Sequence, residues 1–149
     1  MASDAKTAQC DCSAVQFTID GPPLFRILCH CTICQAFNDA AFADIVVYRA
    51  RQVAAPSAEQ VHFDRWRPPP NVQRGVCTAC EQPIIEQFRA PLMPSLTMVP
   101  AARIDGDLPP PCGHLFYEHR RDDAKDDLPR HHGYWASQWA FMRALFRNR

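Results

Sequence analysis

The cysteines constrain this chain more than any other feature. Eight of them stand at positions 10, 12, 29, 31, 34, 77, 80 and 112. They form three local motifs, C-x-C at Cys10–Cys12, C-x-C-x-x-C at Cys29–Cys34 and C-x-x-C at Cys77–Cys80. Each motif closes a short loop that lets two thiolates reach one metal. Tetrahedral zinc, with Zn–S bonds of about 2.3 Å, sets its sulfurs about 3.8 Å apart. Residues two apart on a flat strand stand about 6.6 Å apart at Cα, so each C-x-C requires a tight knuckle. A structural zinc takes four protein ligands, and a catalytic one keeps a position open. One C-x-C with one C-x-x-C makes four, which leaves Cys29, Cys31 and Cys34 as a set of three and Cys112 spare. The spacing also permits Cys10 and Cys12 to close on Cys29 and Cys31. Zinc is expected over an iron–sulfur cluster because no ferredoxin-like run of four cysteines is present. A redox pair at Cys77–Cys80 is not expected, since no βαβ pattern surrounds it.

A length of 149 residues fits one domain, and an apolar fraction of 47% supplies a packed core. The formal net charge is zero. Coating nucleic acid or an anionic membrane runs on a basic excess, so neither partner is expected. No apolar stretch has the length of a membrane span, and Met1–Gln9 lacks the apolar core of a secretory signal. The expectation is a cytoplasmic protein, where thiols stay reduced and serve as ligands or nucleophiles rather than disulfides.

The body reads as short strands. Val15, Phe17 and Ile19 alternate with polar residues, as do Phe25, Ile27 and Cys29, then Val61, Phe63 and Arg65. Residues 41–49 suit a buried strand, and further strands are predicted over 72–76, 84–88, 96–99 and 114–117. Pro68–Pro70 and Pro109–Pro111 must be loops. One strand per 8–12 residues with turn residues between them is the pattern of a mainly β, antiparallel domain. Helix is predicted only at the end, over 134–147. There Trp135, Trp139, Met142, Leu145 and Phe146 recur at three- and four-residue steps. That stripe must be covered, with the tryptophans as core, by the chain's own sheet or by a second copy; a homodimer is the favoured expectation. Asp122–Asp127 is a charge run and reads as a solvated loop.

The order of the motifs resembles the family of the glutathione-dependent formaldehyde-activating enzyme, which includes the centromere protein V type. The pattern opens with C-x-C and a strand, here Cys10-Asp-Cys12 to Phe17, and passes through Gly21-Pro-Pro23 to Cys29-His-Cys-Thr-Ile-Cys34. Cys77-Thr-Ala-Cys80, Ile104-Asp105, Pro109–Pro111, His114-Leu-Phe116 and Asp126-Asp-Leu-Pro129 follow in order, so the likeness covers about residues 9–130. It implies antiparallel sheets around a zinc-ribbon-like centre, with residues 134–147 as a helical extension of one zinc-binding domain. It implies a structural zinc on Cys10, Cys12, Cys77 and Cys80, and a more open or labile zinc on Cys29, Cys31 and Cys34. The chemistry it implies is carbon–sulfur lyase-like, typified by joining formaldehyde to the thiol of glutathione. This chain departs from the pattern at Ser13, Asn38-Asp39 and Glu81-Gln82, where the family usually has glycine or Gly-Ser. It departs also at Gln35, commonly basic, and at His119–Asp123, which replaces a Lys-x-Pro-Trp stretch.

Two functions compete on these residues. In an enzyme, a small thiol such as glutathione fills the open position beside Cys29, Cys31 and Cys34 and makes or breaks a carbon–sulfur bond. His30 and His114 are then the candidates for proton transfer, and Arg120 or Arg121 for holding a carboxylate of the thiol. In a binding module, zinc only staples the fold and the terminal helix docks a partner, with Arg143, Arg147 and Arg149 available. Four protein ligands at both metals would favour the module, and an open position the enzyme.

Overall fold

The computed structural model describes residues 5–64, 66 and 71–147. The expectations placed on Arg65, Pro68–Pro70 and Arg149 lie outside these residues. Nine strands follow in chain order: β1 Lys6–Gln9, β2 Gln16–Ile19, β3 Phe25–Cys29, β4 Ala43–Arg49, β5 Val61–Asp64, β6 Val72–Cys77, β7 Pro83–Phe88, β8 Leu96–Pro100 and β9 His114–Leu115. Among the described residues there are two α-helices, α1 Thr32–Asn38 and α2 Tyr134–Arg147. The fold is mainly β with a C-terminal helix, as the alternation predicts.

β1 and β2 pair alone as a two-stranded sheet, and the other seven form one sheet in the order β5-β6-β7-β8-β4-β3-β9. β4 lies inside this sheet and is buried on both faces. Val46 and Tyr48 join the core under the small sheet, with Ala8, Phe17 and Ile19. Ile45 and Val47 join a second core on the opposite face, with Phe25, Leu96 and Leu145. Burial on both faces is why β4 reads as a continuous apolar run rather than an alternation. Bridges Ala8–Ile104 and Ile19–Val53 join the small sheet to the segments that follow β8 and β4.

Four expectations are corrected. β1 is a strand where none was predicted, because Lys6-Thr-Ala-Gln9 holds a single apolar residue and shows no alternation. α1 falls within the central cysteine motif; its seven residues are too few to show helical periodicity, and its start is set by a cap. The strand predicted over 114–117 stops at Leu115 and runs parallel to β3, the one parallel strand pair among the described residues. Phe116 takes a left-handed conformation, φ 52°, and its N–H donates to Ser137 Oγ at 2.8 Å, which ends the ladder.

The last correction concerns α2. It packs through Ser137, Phe141 and Leu145, while Trp135 and Trp139 stand 75% and 67% exposed. The tryptophans are therefore not core. The apolar residues of α2 surround more than one face, so the stripe that the tryptophans mark is rotated away from the face the sheet covers.

Candidate metal centre and thiol cavity

The first cluster forms where two turns meet. Cys10 and Cys12 lie in the turn after β1, and Cys77 and Cys80 in the β6–β7 hairpin. Cys10 Sγ stands 3.2 Å from Cys12 Sγ and 3.7 Å from Cys77 Sγ, and Cys12 Sγ stands 3.7 Å from Cys77 Sγ. All four sulfurs lie within 4.8 Å of one another. Amide N–H groups of Val15 and Ala79 donate to Cys10 and Cys77, each at 3.4 Å. Burial works against ionisation of Cys10, but the Val15 amide and the neighbouring thiols hold it down to about 6. Against the pull of the Ala14 amide, Cys10 and burial push Cys12 up to about 12. Thiols this close cannot all ionise without a cation among them. Four sulfurs at nearly the spacing of tetrahedral coordination fit a closed metal site.

The second cluster forms at the end of β3. Cys29 is its last residue, Cys31 caps α1 by accepting the Cys34 N–H at 3.3 Å, and Cys34 lies in the first turn. Their three sulfurs also lie within 4.8 Å of one another, and no fourth His, Cys, Asp or Glu joins them among the described residues. Hydrogen bonds from Cys29 and Cys34 draw the negative charge onto Cys31, whose pKa falls well below that of an ordinary thiol. The Cys31 sulfur in turn drives Cys29 up, and Cys29 drives Cys34 up. The structure thus realises the four-plus-three division, and exposed Cys112 belongs to neither set.

The three thiols open on a cavity of about 290 Å³, bounded by β6 to β8 and by α2. Arg74 and Glu86 line it from opposite positions on β6 and β7. Burial pushes the Glu86 carboxyl up to about 7, although Arg74 opposes the shift. Next to Arg74 the β6–β7 register shifts between Gly75 and Val76, and a Cβ at Gly75 would stand 2.6 Å from Val61 Cγ1.

His30 and His114 come together elsewhere. His30 Nε2 lies 2.9 Å from His114 Nδ1, and His114 Nε2 lies 3.0 Å from Asp126 Oδ2. An ionised Asp126 accepts from His114 Nε2–H, so His114 Nδ1 accepts from His30 Nε2–H. His30 Nδ1 is then a buried acceptor without a partner. Both imidazoles line a separate cavity of about 240 Å³ with Phe42 and the loop from Arg121 to Asp126. The structure joins them to each other and to Asp126, not to the cavity of the three thiols. The charge run is exposed, as expected, yet it is anchored by Asp126.

With this geometry in hand, the comparison with known proteins is decisive. Residues 5–119 match the family described as glutathione-dependent formaldehyde-activating enzyme. The chain belongs to that family. Among solved structures, a crystal structure of a Rhodobacter sphaeroides protein shares the fold at a TM-score of 0.54 and 18% identity, covering 69% of this chain and 91% of that one. No curated protein matches the sequence.

The chain's departures from the family pattern are accommodated locally. Ser13 (φ 63°), Asp39 (φ 47°) and Glu81 (φ 61°) keep the left-handed conformation that glycine would adopt without strain. Gln35, where a basic residue is common, donates from Nε2 to the carbonyls of His30 and His119, each at 2.8 Å, and so ties α1 to the turn after β9. Arg120 is committed to Asp123 and lies 4.5 Å from the centre of the Tyr117 ring, and Arg121 lines the histidine cavity. Sequence reasoning missed Arg74, Glu86 and Asp126. For Arg74 and Glu86 the available signal was a charged residue within a predicted strand; Asp126, in a loop, offered none beyond its place in the charge run.

Proposed function

We propose that the chain is a zinc-dependent, carbon–sulfur lyase-like enzyme acting on a small thiol or its aldehyde adduct. The supporting observation is the three-thiol cluster, which lacks a fourth protein ligand among the described residues and opens on a cavity. Zinc held by Cys29, Cys31 and Cys34 would lower the pKa of an added thiol and orient it as thiolate. The substrate sulfur attacks the aldehyde carbon; the C–S bond forms, the carbonyl π pair moves to oxygen, and oxygen takes a proton. The reverse reaction breaks the C–S bond and returns the thiol. Cys10, Cys12, Cys77 and Cys80 would hold a structural zinc. His30 lies between two ligands and is tied through His114 to Asp126, so this chain of side chains positions the Cys29–Cys31 knuckle.

The test uses cobalt in place of zinc, read by thiolate-to-metal absorption. Wild type takes up two metals, and an added thiol perturbs one of the two spectral components. Cys31→Ser stays folded and loses the thiol response. Cys77→Ser loses several kcal/mol of stability, because a structural metal contributes folding energy directly. A spectrum that no thiol perturbs, with the three cysteines intact, leaves a zinc-stapled binding module, to which the exposed Trp135 and Trp139 would belong.

A further inference from the structure

The lining of the thiol cavity describes its occupant, and this inference rests on the open site proposed above. Its walls are largely apolar, with Ile45 and Phe88 from the sheet, Met93 from the loop before β8, and Phe141 and Met142 from α2. Apart from the three thiols and His119, the ionisable side chains that line it are Arg74 and Glu86. Arg74 Nε and Glu86 Oε1 stand 3.7 Å apart, too far for a hydrogen bond, and neither buried atom has a hydrogen-bond partner. Arg74 is 11% exposed and Glu86 4%. Buried polar groups are nearly always satisfied by protein, water or ligand. A hydroxyl or amide, able to donate to the carboxylate and accept from the guanidinium, would satisfy both.

Charge narrows the class further. Three thiolates around a divalent cation leave one net negative charge, and at pH 8, where the Glu86 carboxyl is ionised, the Arg74–Glu86 pair adds none. An occupant carrying extra carboxylates would meet no free cation in the lining. Glutathione carries two carboxylates and one ammonium. We infer that the cavity takes a compact thiol with an apolar body and one uncharged hydroxyl or amide group, seated between Arg74 and Glu86, in preference to glutathione. Part of the apolar wall comes from α2, beyond the family match at residues 5–119, so this selectivity is built on an addition to the matched segment.

The experiment titrates cobalt-loaded protein at pH 8 with 3-mercaptopropan-1-ol, its near-isostere butane-1-thiol, and glutathione, each corrected to its thiolate fraction. The two small thiols bind at least about tenfold more tightly than glutathione. Replacing the pair by apolar residues of similar size, Arg74→Met with Glu86→Leu, is tolerated at many buried ion pairs. In that variant the preference for 3-mercaptopropan-1-ol over butane-1-thiol falls about tenfold. Glu86→Gln is the second variant, with a fall of about threefold, and serves where the double change prevents folding. Glutathione binding as tightly as the small thiols, or a hydroxyl preference unchanged in a folded variant, overturns the inference and leaves the open-site reading standing. Silence of the cobalt spectrum toward all three thiols overturns both.

Discussion

Glu86 is the residue whose chemistry the fold alters most plainly. Burial raises its carboxyl from 4.5 to about 7, so the folded chain holds a proton there that the unfolded chain gives up. The protonated form is the one the fold favours. The contribution of Glu86 to stability is therefore fully present below pH 4.5 and declines as pH rises toward 7. The loss amounts to about 3 kcal/mol across that window. Denaturant unfolding of the metal-loaded protein from pH 5 to 7.5 reads this directly, with Glu86→Gln as the control. Wild type loses more stability over the window than the variant does. Equal slopes would mean that the carboxyl is already ionised in the folded protein.

At the scale of elements, the two turns that carry the first cluster are the joint between the sheets. β1–β2 and the β6–β7 hairpin are far apart in sequence, and the four sulfurs meet between them, where a bound metal would join the two. Asp11 adds to the joint, with its N–H donating to Gln82 Oε1 at 3.0 Å and its carboxylate accepting from Arg103 at 3.0 Å. The hairpin keeps its shape with Glu81 at φ 61°, a conformation that disfavours any residue with a Cβ. Relief of that strain is offset in part by the chain entropy that glycine adds to the unfolded state. Glu81→Gly is expected to raise stability by about 0.5–1 kcal/mol, or a few degrees in Tm, with both metals retained. A lower Tm with intact metal content would show that the Glu81 side chain outweighs the strain of its backbone.

For the whole molecule, α2 does two things at once. Its inner face closes the second core through Leu145, 3% exposed, and forms a wall of the thiol cavity through Phe141 and Met142. Its outer face presents Trp135 and Trp139 to solvent. Leu145→Ala should cost about 2–5 kcal/mol, as large-to-small changes in a core do. Trp135→Ser with Trp139→Ser should alter the stability of dilute protein by no more than about 0.5 kcal/mol. Light scattering on the same double variant reads the expected homodimer. A mass that falls to one chain places the interface on this face, and an unchanged mass excludes it.

The cysteine spacings alone pointed to clustered thiols that could hold metal, because ligand loops of two to four residues are local and need no knowledge of the fold. Strand periodicity was equally local, and it located β2 to β8 and α2 from alternation and the 3.6-residue step. Which cysteines share a cluster was beyond spacing, since Cys10 and Cys77 meet only after β1–β2 settles on the large sheet. The same holds for His114 and Asp126, whose contact depends on β9 pairing parallel to β3 and on the loop returning over it. It holds again for Arg74 and Glu86, which become a pair only through the register of β6 against β7. The tryptophans failed as core residues for a related reason. Periodicity shows that a helix has an apolar stripe, but the sheet it meets chooses the face, and here Phe116 and Ser137 lock α2 with Leu145 inward and Trp135 outward.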